Sequence, residues 1–376
     1  MSNWKYYNPV SIHFGPGIIN DLPTFVGMHK LVLVTTPGFK KRGTVEYLKT
    51  ILGNSLVAIF AEVQANPTFE SVKAAFKSLQ PYDYDLIVAL GGGSAIDTAK
   101  IVAALESVGN VEWIDSLRKD ADLFPKTFAP KDIIAIPTTA GSGSEVTMWA
   151  TVWDMVRKEK HSLSHPLLYP REAVLDPALT LTLPLEETIN CGLDALSHAM
   201  EAIWNKNHNP VSDRFALEAI ELIYDYLPLL KNDLDNIKLR TFLLRASLIA
   251  GLAFSNTKTA LAHSISYCLT SYFGLPHGLA CSLPLTSLIE FNGTQCFERI
   301  KIMARALKAE KTVESMKNNL ANFFKKIDIP LSLASYGINK RNAQMIIDHA
   351  ITPDRADNNI VSISKTDLER IVTSLF

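Results

Sequence analysis

Four short runs, KLVLVTT (30–36), SLVAIF (55–60), DLIVAL (85–90) and DIIAIPT (132–138), constrain this chain more than anything else in it. Each is almost continuously apolar, whereas a strand with one wet face would alternate, so these strands need cover on both faces. Helical spacing in PTFESVKAAFKSL (67–79) and SAIDTAKIVAAL (94–105) supplies that cover. Strand and helix in alternation specify a parallel sheet wound with helices. The stretch 108–132 breaks the periodicity and reads as a long excursion before the fourth run. From about Leu185 the pattern changes: DRFALEAIELIYDYLPLL, KLRTFLLRASLIAGLAF and the remainder of the chain are helical, with no convincing strand. Pro184 followed by Glu186 and Glu187 marks a helix start. The expected organisation is an α/β domain over 1–184 and an all-helical domain over 185–376.

A chain of 376 residues, 47% of them hydrophobic, can bury the cores of two domains. Its formal net charge of −1 gives no electrostatic reason to hold nucleic acid or a membrane surface, so small polar metabolites are the expected partners. The opening MSNWKYYNPVSIHFG lacks the apolar centre of a signal peptide, and no apolar run reaches the roughly 18 residues of a bilayer span. Cys191, Cys268, Cys281 and Cys296 show no paired C-x-x-C spacing. Reduced thiols and a cytoplasmic location are expected.

Chemistry concentrates between Gly192 and His277. In GLDALSHAMEA (192–202), Asp194 and His198 are four residues apart, which on a helix sets their side chains about 5–6 Å apart on one face. His263 falls in a helical pattern, and His277 directly follows Pro276 at the expected start of another helix. Three neutral imidazoles and one carboxylate suit a divalent transition metal such as Fe(II) or Zn(II), whereas Mg(II) and Ca(II) take mostly oxygen. An Asp/His pair at this spacing also forms ordinary surface ion pairs, so spacing alone leaves both readings open. A second signal is GGGSAIDTAK (91–100), placed directly after DLIVAL and opening a helix. Glycines let the backbone approach a pyrophosphate, and N–H groups at a helix start favour its charge. The string is neither G-x-G-x-x-G nor a Walker A motif, and glycines after strands also serve plain turns.

Taken together these motifs resemble the iron-containing alcohol dehydrogenases. GLDALSHAMEA, AHSISY and LPHGLA are similar to the metal-binding helical half of that family, and GGGS-x-x-D-x-AK with IPTTAGSGSEVT (136–147) to its nucleotide-binding half. YPREAVLDPALTLTLP is a further match, and the likeness runs from NPVSIHFG through LPHGLACS. The resemblance implies a dehydroquinate synthase-like architecture with a parallel-sheet domain and an all-helical metal-binding domain. It implies Fe(II), with Zn(II) as a substitute, held by Asp194, His198, His263 and His277. It also implies NAD(P)H, with Gly91, Gly92, Gly93, Ser94 and Asp97 at the pyrophosphate, Thr138, Thr139 and Ser142 on the adenine and phosphate side, and Lys160 near the nicotinamide ribose. Phe254 corresponds to an apolar pocket residue. The implied activity is reversible, metal-dependent reduction of a short-chain aldehyde to its alcohol by a homodimer.

Three positions depart from the family pattern. Many members carry a His four residues after the third ligand; here that position is Tyr267, and a phenol with an ordinary pKa of about 10 is a poor base at neutral pH. The expected proton path therefore runs by water, a ribose hydroxyl or a tyrosine-assisted relay. After KLVLVTT many members place an Asp that bonds the ribose 2′-OH of NAD; here Thr36 stands there, followed by Lys40, Lys41 and Arg42, which makes NADPH acceptable. Lys258 replaces a commonly small residue five positions before His263, about 140° away around a continuous helix, so only its long stem would bring its charge to an anionic substrate. Arg157 and Lys158 are rival anion partners. Within the family, NWKYYNPVSIHFG, WATVWD, AIWNKNHNPVSD and AFSNTKTALAHSISY look most like phosphonoacetaldehyde reductases, which implies reduction of phosphonoacetaldehyde to 2-hydroxyethylphosphonate. The alternatives are a generic short-chain alcohol dehydrogenase of the 1,3-propanediol or lactaldehyde type and, in another class, a non-catalytic nucleotide-binding assembly protein. Intact ligand positions argue against the last.

Overall fold

The four apolar runs form adjacent strands of one sheet in the computed structural model, which describes residues 3–118 and 124–376. In chain order the strands are β1 (Ser11–Phe14), β2 (Leu31–Thr35), β3 (Leu56–Phe60), β4 (Leu86–Gly91), β5 (Asp132–Pro137), β6 (Trp149–Asp154), β7 (Glu159–Ser164) and β8 (Glu172–Leu175). Six of them make a sheet in the order β1-β8-β5-β4-β2-β3, every pairing parallel. Val32, Val34, Ile87, Ala89, Ile133 and Ala135 enter one core, while the alternate residues Leu31, Leu33, Leu86, Val88, Ile134 and Ile136 enter another. Both sheet faces are buried, which is why the runs are apolar without alternation. The first of these cores also holds helices α1 (Phe69–Leu79) and α2 (Gly93–Val108). Thr68 starts α1 with a capping box to Ser71.

β1, β8 and the antiparallel hairpin β6–β7 are elements that the apolar-run pattern does not announce. β1 is an edge strand of four residues with no buried position, and β8 is equally short. The excursion after α2 contains a 3-10 helix, Val111–Arg118; its residues 119–123 lie outside the described residues.

The helical part contains α3 (Leu185–Ile203), α4 (Pro210–Leu230), α5 (Ile237–Thr257), α6 (Leu261–Phe273) and α7 (His277–Ser282), with further helices up to the C-terminus. Asn209 caps α4 by accepting from the Val211 and Ser212 N–H groups, with Pro210 at the first helical position. The expected continuity of helix around Lys258 is corrected by the break between α5, which ends at Thr257, and α6, which begins at Leu261. No continuous helix joins Lys258 to His263, so the 140° separation does not apply. Lys258 sits at the break with φ of 67°, its N–H donating to the Phe254 carbonyl at 2.7 Å.

Two compact units result: Pro9–Thr139 with Ser144–Thr180, and Met1–Asn8 with Ala140–Gly143 and Leu181–Phe376. Among the described residues no helix is long and apolar enough to cross a membrane.

Candidate metal centre and cofactor loop

Asp194 and His198 stand one turn apart on α3, His263 lies in the first turn of α6, and His277 is the first residue of α7. The three imidazoles face a single carboxylate oxygen: the Nε2 atoms of His263, His198 and His277 lie 3.6, 3.9 and 4.0 Å from Asp194 Oδ1. These separations are too long for hydrogen bonds. Asp194 Oδ1 and His263 Nε2 are buried and find no hydrogen-bond partner among the described residues. Leaving a buried polar atom unpaired costs about 1–3 kcal/mol, a cost that a cation seated among these donors removes. Nitrogen and oxygen donors in this proportion fit Fe(II) or Zn(II).

Close approach of α7 to α3 depends on Gly278. A Cβ at that position would lie 1.9 Å from the Asn190 carbonyl oxygen and 3.0 Å from the Asp194 nitrogen, both backbone atoms. The His198 ring is stacked on Phe254 at 4.0 Å with an interplanar angle of 6°, and on His263 at 4.6 Å. Phe254 is thus buried against a centre residue. Ala140–Gly143 is fitted against the same helices by its glycines: a Cβ on Gly141 would meet the Cys191 carbonyl at 2.8 Å, and one on Gly143 the Gly251 Cα at 2.7 Å.

Electrostatics prepares the centre for positive charge. Burial opposes ionisation of Asp194, yet the facing His198, His263 and His277 hold its carboxyl well below the usual carboxylate range. Burial pushes His198 down to about 4, keeping its imidazole neutral at physiological pH. Burial also disfavours charge on His263, but Cys281, Glu201 and Asp194 outweigh it and raise its pKa well above the ordinary value. Glu201 is fully buried on α3 with Oε2 at 2.5 Å from His263 Nδ1, while its Oε1 accepts from the Ala262 and His263 N–H groups at 2.6 and 3.2 Å. A proton kept on Nδ1 leaves Nε2 facing Asp194 as the donor atom.

Two further side chains border the centre. Cys281 is buried one turn after His277, with Sγ 3.7 Å from each nitrogen of that ring, and burial pushes its thiol up. Tyr267, one turn after His263, stacks on His277 at 6.2 Å between ring centroids. Its hydroxyl accepts from Arg355 Nε at 3.3 Å. Lys258 is exposed, and its carbonyl accepts from Asn205 Nδ2 at 3.2 Å.

In the sheet unit, Gly91 ends β4, Gly92 is the N-cap of α2 and Gly93 is its first residue. A Cβ on Gly91 would lie 2.6 Å from that of Ala95 and 3.7 Å from Thr36 Cγ2; one on Gly92 would lie 3.1 Å from Thr139 Cγ2 and Oγ1. No side chain among the described residues caps the first turn of α2, so its N–H groups form an anion-attracting end. Thr138 donates its N–H to the Gly91 carbonyl at 3.0 Å, and Ser94 Oγ accepts from the Asn66 N–H at 3.3 Å. Asp97 accepts from the Ser144 hydroxyl and from the Thr151 N–H at 2.9 Å, so it ties α2 to the segment before β6 and to β6 itself. Lys100, fully buried, donates to the Ser144 and Trp149 carbonyls at 2.7 and 2.9 Å. Lys160 on β7 lies over the Trp153 ring at 5.4 Å, and Arg157 and Lys158 fall in the β6–β7 turn. Ser142 lies in the Ala140–Gly143 segment.

Residues 9–177 match the iron-containing alcohol dehydrogenase family, and residues 188–376 match the C-terminal part of the Fe-containing alcohol dehydrogenase family. The chain belongs to the iron-containing alcohol dehydrogenase family. It is therefore an oxidoreductase of the alcohol–aldehyde type. It is 29% identical to an NADPH-dependent butanol dehydrogenase of Clostridium saccharobutylicum over 99% of this chain and 98% of that one. Identity is also 29% to an NAD-dependent methanol dehydrogenase of Bacillus methanolicus, with 98% of each chain covered. Among solved structures it resembles a sulfoacetaldehyde reductase from Bifidobacterium kashiwanohense, crystallised with NAD+, at a TM-score of 0.92 and 30% identity over 100% of this chain and 99% of that one.

For this family member, sequence reasoning passed over Glu201, Cys281, Arg355 and Lys100. Glu201 had a signal: it lies three residues after His198, on the helix face that carries the candidate ligands Asp194 and His198. Cys281 likewise comes one helical turn after His277. Arg355 had none, because it is 88 residues from the Tyr267 it bonds.

Proposed function

We propose that this chain is an iron-dependent reductase of a short anionic aldehyde, with phosphonoacetaldehyde as substrate and 2-hydroxyethylphosphonate as product. The reading takes Asp194, His198, His263 and His277 as the metal ligands and Gly91–Ser94 with Thr138, Thr139, Ser142 and Lys160 as the NAD(P)H contacts. When bound, the divalent cation supplies Lewis acidity toward the carbonyl oxygen, and the nicotinamide supplies the hydride. Glu201 fixes the His263 tautomer, Phe254 backs His198, and Asp97 with Lys100 shapes the loop. Tyr267 holds a proton at its phenol oxygen, and the hydrogen bond it accepts from Arg355 directs that proton away from the guanidinium.

The observation that carries the anionic substrate is Arg355, a partly buried guanidinium bonded to the tyrosine that stacks on His277. Such a fork suits a phosphonate or sulfonate, and the likeness to a sulfoacetaldehyde reductase supports the same substrate class. Lys258 is the second candidate anion partner, and one panel separates the two. Arg355→Met is expected to lower kcat/KM for phosphonoacetaldehyde and sulfoacetaldehyde by about 10- to 100-fold, the value of a hydrogen bond to a charged group, while propanal changes little. Lys258→Ala tested beside it shows which cation holds the anion. Wild-type protein that reduces propanal as efficiently as either anionic aldehyde would overturn the reading in favour of a generic alcohol dehydrogenase.

Glu201→Gln is expected to weaken metal binding about 10- to 100-fold, as losing a carboxylate behind a ligand histidine does. Competition against a chelator measures this, and unchanged affinity would remove Glu201 from the site. The cofactor choice rests on residues, since two relatives of equal identity take different nucleotides. Thr36 adjoins Gly91, with Lys40, Lys41 and Arg42 exposed beyond it, so NADPH is expected to be accepted. Thr36→Asp should shift the kcat/KM ratio toward NADH by about tenfold or more, through repulsion of the 2′-phosphate. Strong NADH preference in the wild type with no shift in the variant contradicts this.

A further inference from the structure

The carboxylate of Asp194, a nitrogen of His263, a nitrogen of His277 and the sulfur of Cys281 all lie within 4.8 Å of one another. His198 stands outside that tight group, held in its stack between Phe254 and His263. Two donors in the group, Asp194 Oδ1 and His263 Nε2, are buried with no hydrogen-bond partner among the described residues, and His263 is only 2% exposed. Cys281 is 0% exposed, and its sulfur is one of the four donor atoms of this cluster. We propose that Cys281 is a sulfur donor of the metal centre, which gives the seat two alternative fourth ligands, His198 and Cys281, around a shared Asp194–His263–His277 set.

This rests on the reading that the centre holds a divalent cation, and it changes which cation is favoured. A set of one oxygen and three nitrogens suits Fe(II), whereas replacing one nitrogen by thiolate sulfur favours the softer Zn(II) and Co(II). Coordination converts the Cys281 thiol to thiolate: its proton leaves to solvent, a sulfur lone pair forms the metal bond, and no oxidant or reductant is needed. The centre would then exchange its fourth donor according to the ion it receives.

Cobalt loading of the metal-free protein tests this without an activity assay. One Co(II) per chain with near-ultraviolet sulfur-to-cobalt charge-transfer absorption is expected in the wild type and in His198→Ala. Cys281→Ser and Cys281→Ala should keep the bound cobalt and lose that absorption, and should bind Zn(II) about tenfold or more weakly while Fe(II) affinity holds. Wild-type protein that binds one Co(II) with only visible ligand-field bands overturns the sulfur assignment and leaves the cation centre standing. Failure of the wild type to bind Co(II), Zn(II) or Fe(II) overturns both. The wild-type spectrum decides the matter even if a variant folds poorly.

Discussion

Asp194→Ala is expected to leave the protein without its cation and to cut reductase turnover by about three orders of magnitude, the scale of several kcal/mol of lost oxyanion stabilisation. The reason is geometric. Three imidazole nitrogens converge within 3.6–4.0 Å of Asp194 Oδ1, and among the described residues no other carboxylate belongs to the group of donors within 4.8 Å. Its removal leaves imidazoles crowded together without the charge that organises them. Metal content should fall, while NADPH fluorescence should still report nucleotide binding, because the glycine loop belongs to the other unit. Metal-replete variant protein with activity within tenfold of wild type would show that Asp194 is not a ligand.

Gly278→Ala should have the second largest effect and act without replacing any of the four candidate ligands. The added methyl would stand 1.9 Å from the Asn190 carbonyl oxygen, and since the obstacle is backbone, no rotamer change relieves it. α7 must move off α3, and His277 moves with it while Asp194 and His198 stay. Overpacking of this kind costs about 1–3 kcal/mol of stability, and a displacement on the order of 1 Å at a reacting centre costs about 10²-fold in rate. Calorimetry and metal analysis together check it: a lowered Tm with depleted metal is expected, and native metal content with full activity would contradict the argument.

The central strands were legible because their burial on both faces leaves an unmistakable apolar run, as in Leu86–Gly91 with every residue buried. β1 was not, because neither of its faces is buried: all four residues of SIHF remain at least partly exposed. The hairpin Trp149–Asp154 with Glu159–Ser164 hid for a related reason: its second strand, EKHSLS, reads as polar. Lys258 misled through the opposite fault. Helical periodicity on both sides of FSNTKTALAH suggested one helix, whereas a non-glycine residue at positive φ breaks it, a conformation that local sequence does not advertise. At the centre, Asp194, His198, His263 and His277 could be chosen from spacing and family likeness, and the structure brings them to one oxygen. Glu201 and Lys100 could not be chosen so easily, because the chain writes a buried charge with the same letter as a solvated one. Only the surrounding acceptors and donors distinguish them: four oxygens around the Lys100 ammonium, and two N–H groups and an imidazole on Glu201.

The partition of the chain into Met1–Asn8, Ala140–Gly143 and Leu181–Phe376 on one side and the remainder on the other has a practical meaning for recombination between relatives. The backbone passes from one unit to the other four times, so the units are stitched together and not hung on a single tether. A chimera joined once, at residues 180/181, would pair a foreign helical unit with a segment whose Gly141 and Gly143 were shaped for the old Cys191 and Gly251. A faithful exchange has to carry the eight-residue leader and the four-residue stitch along with the helices, three pieces of one inheritance.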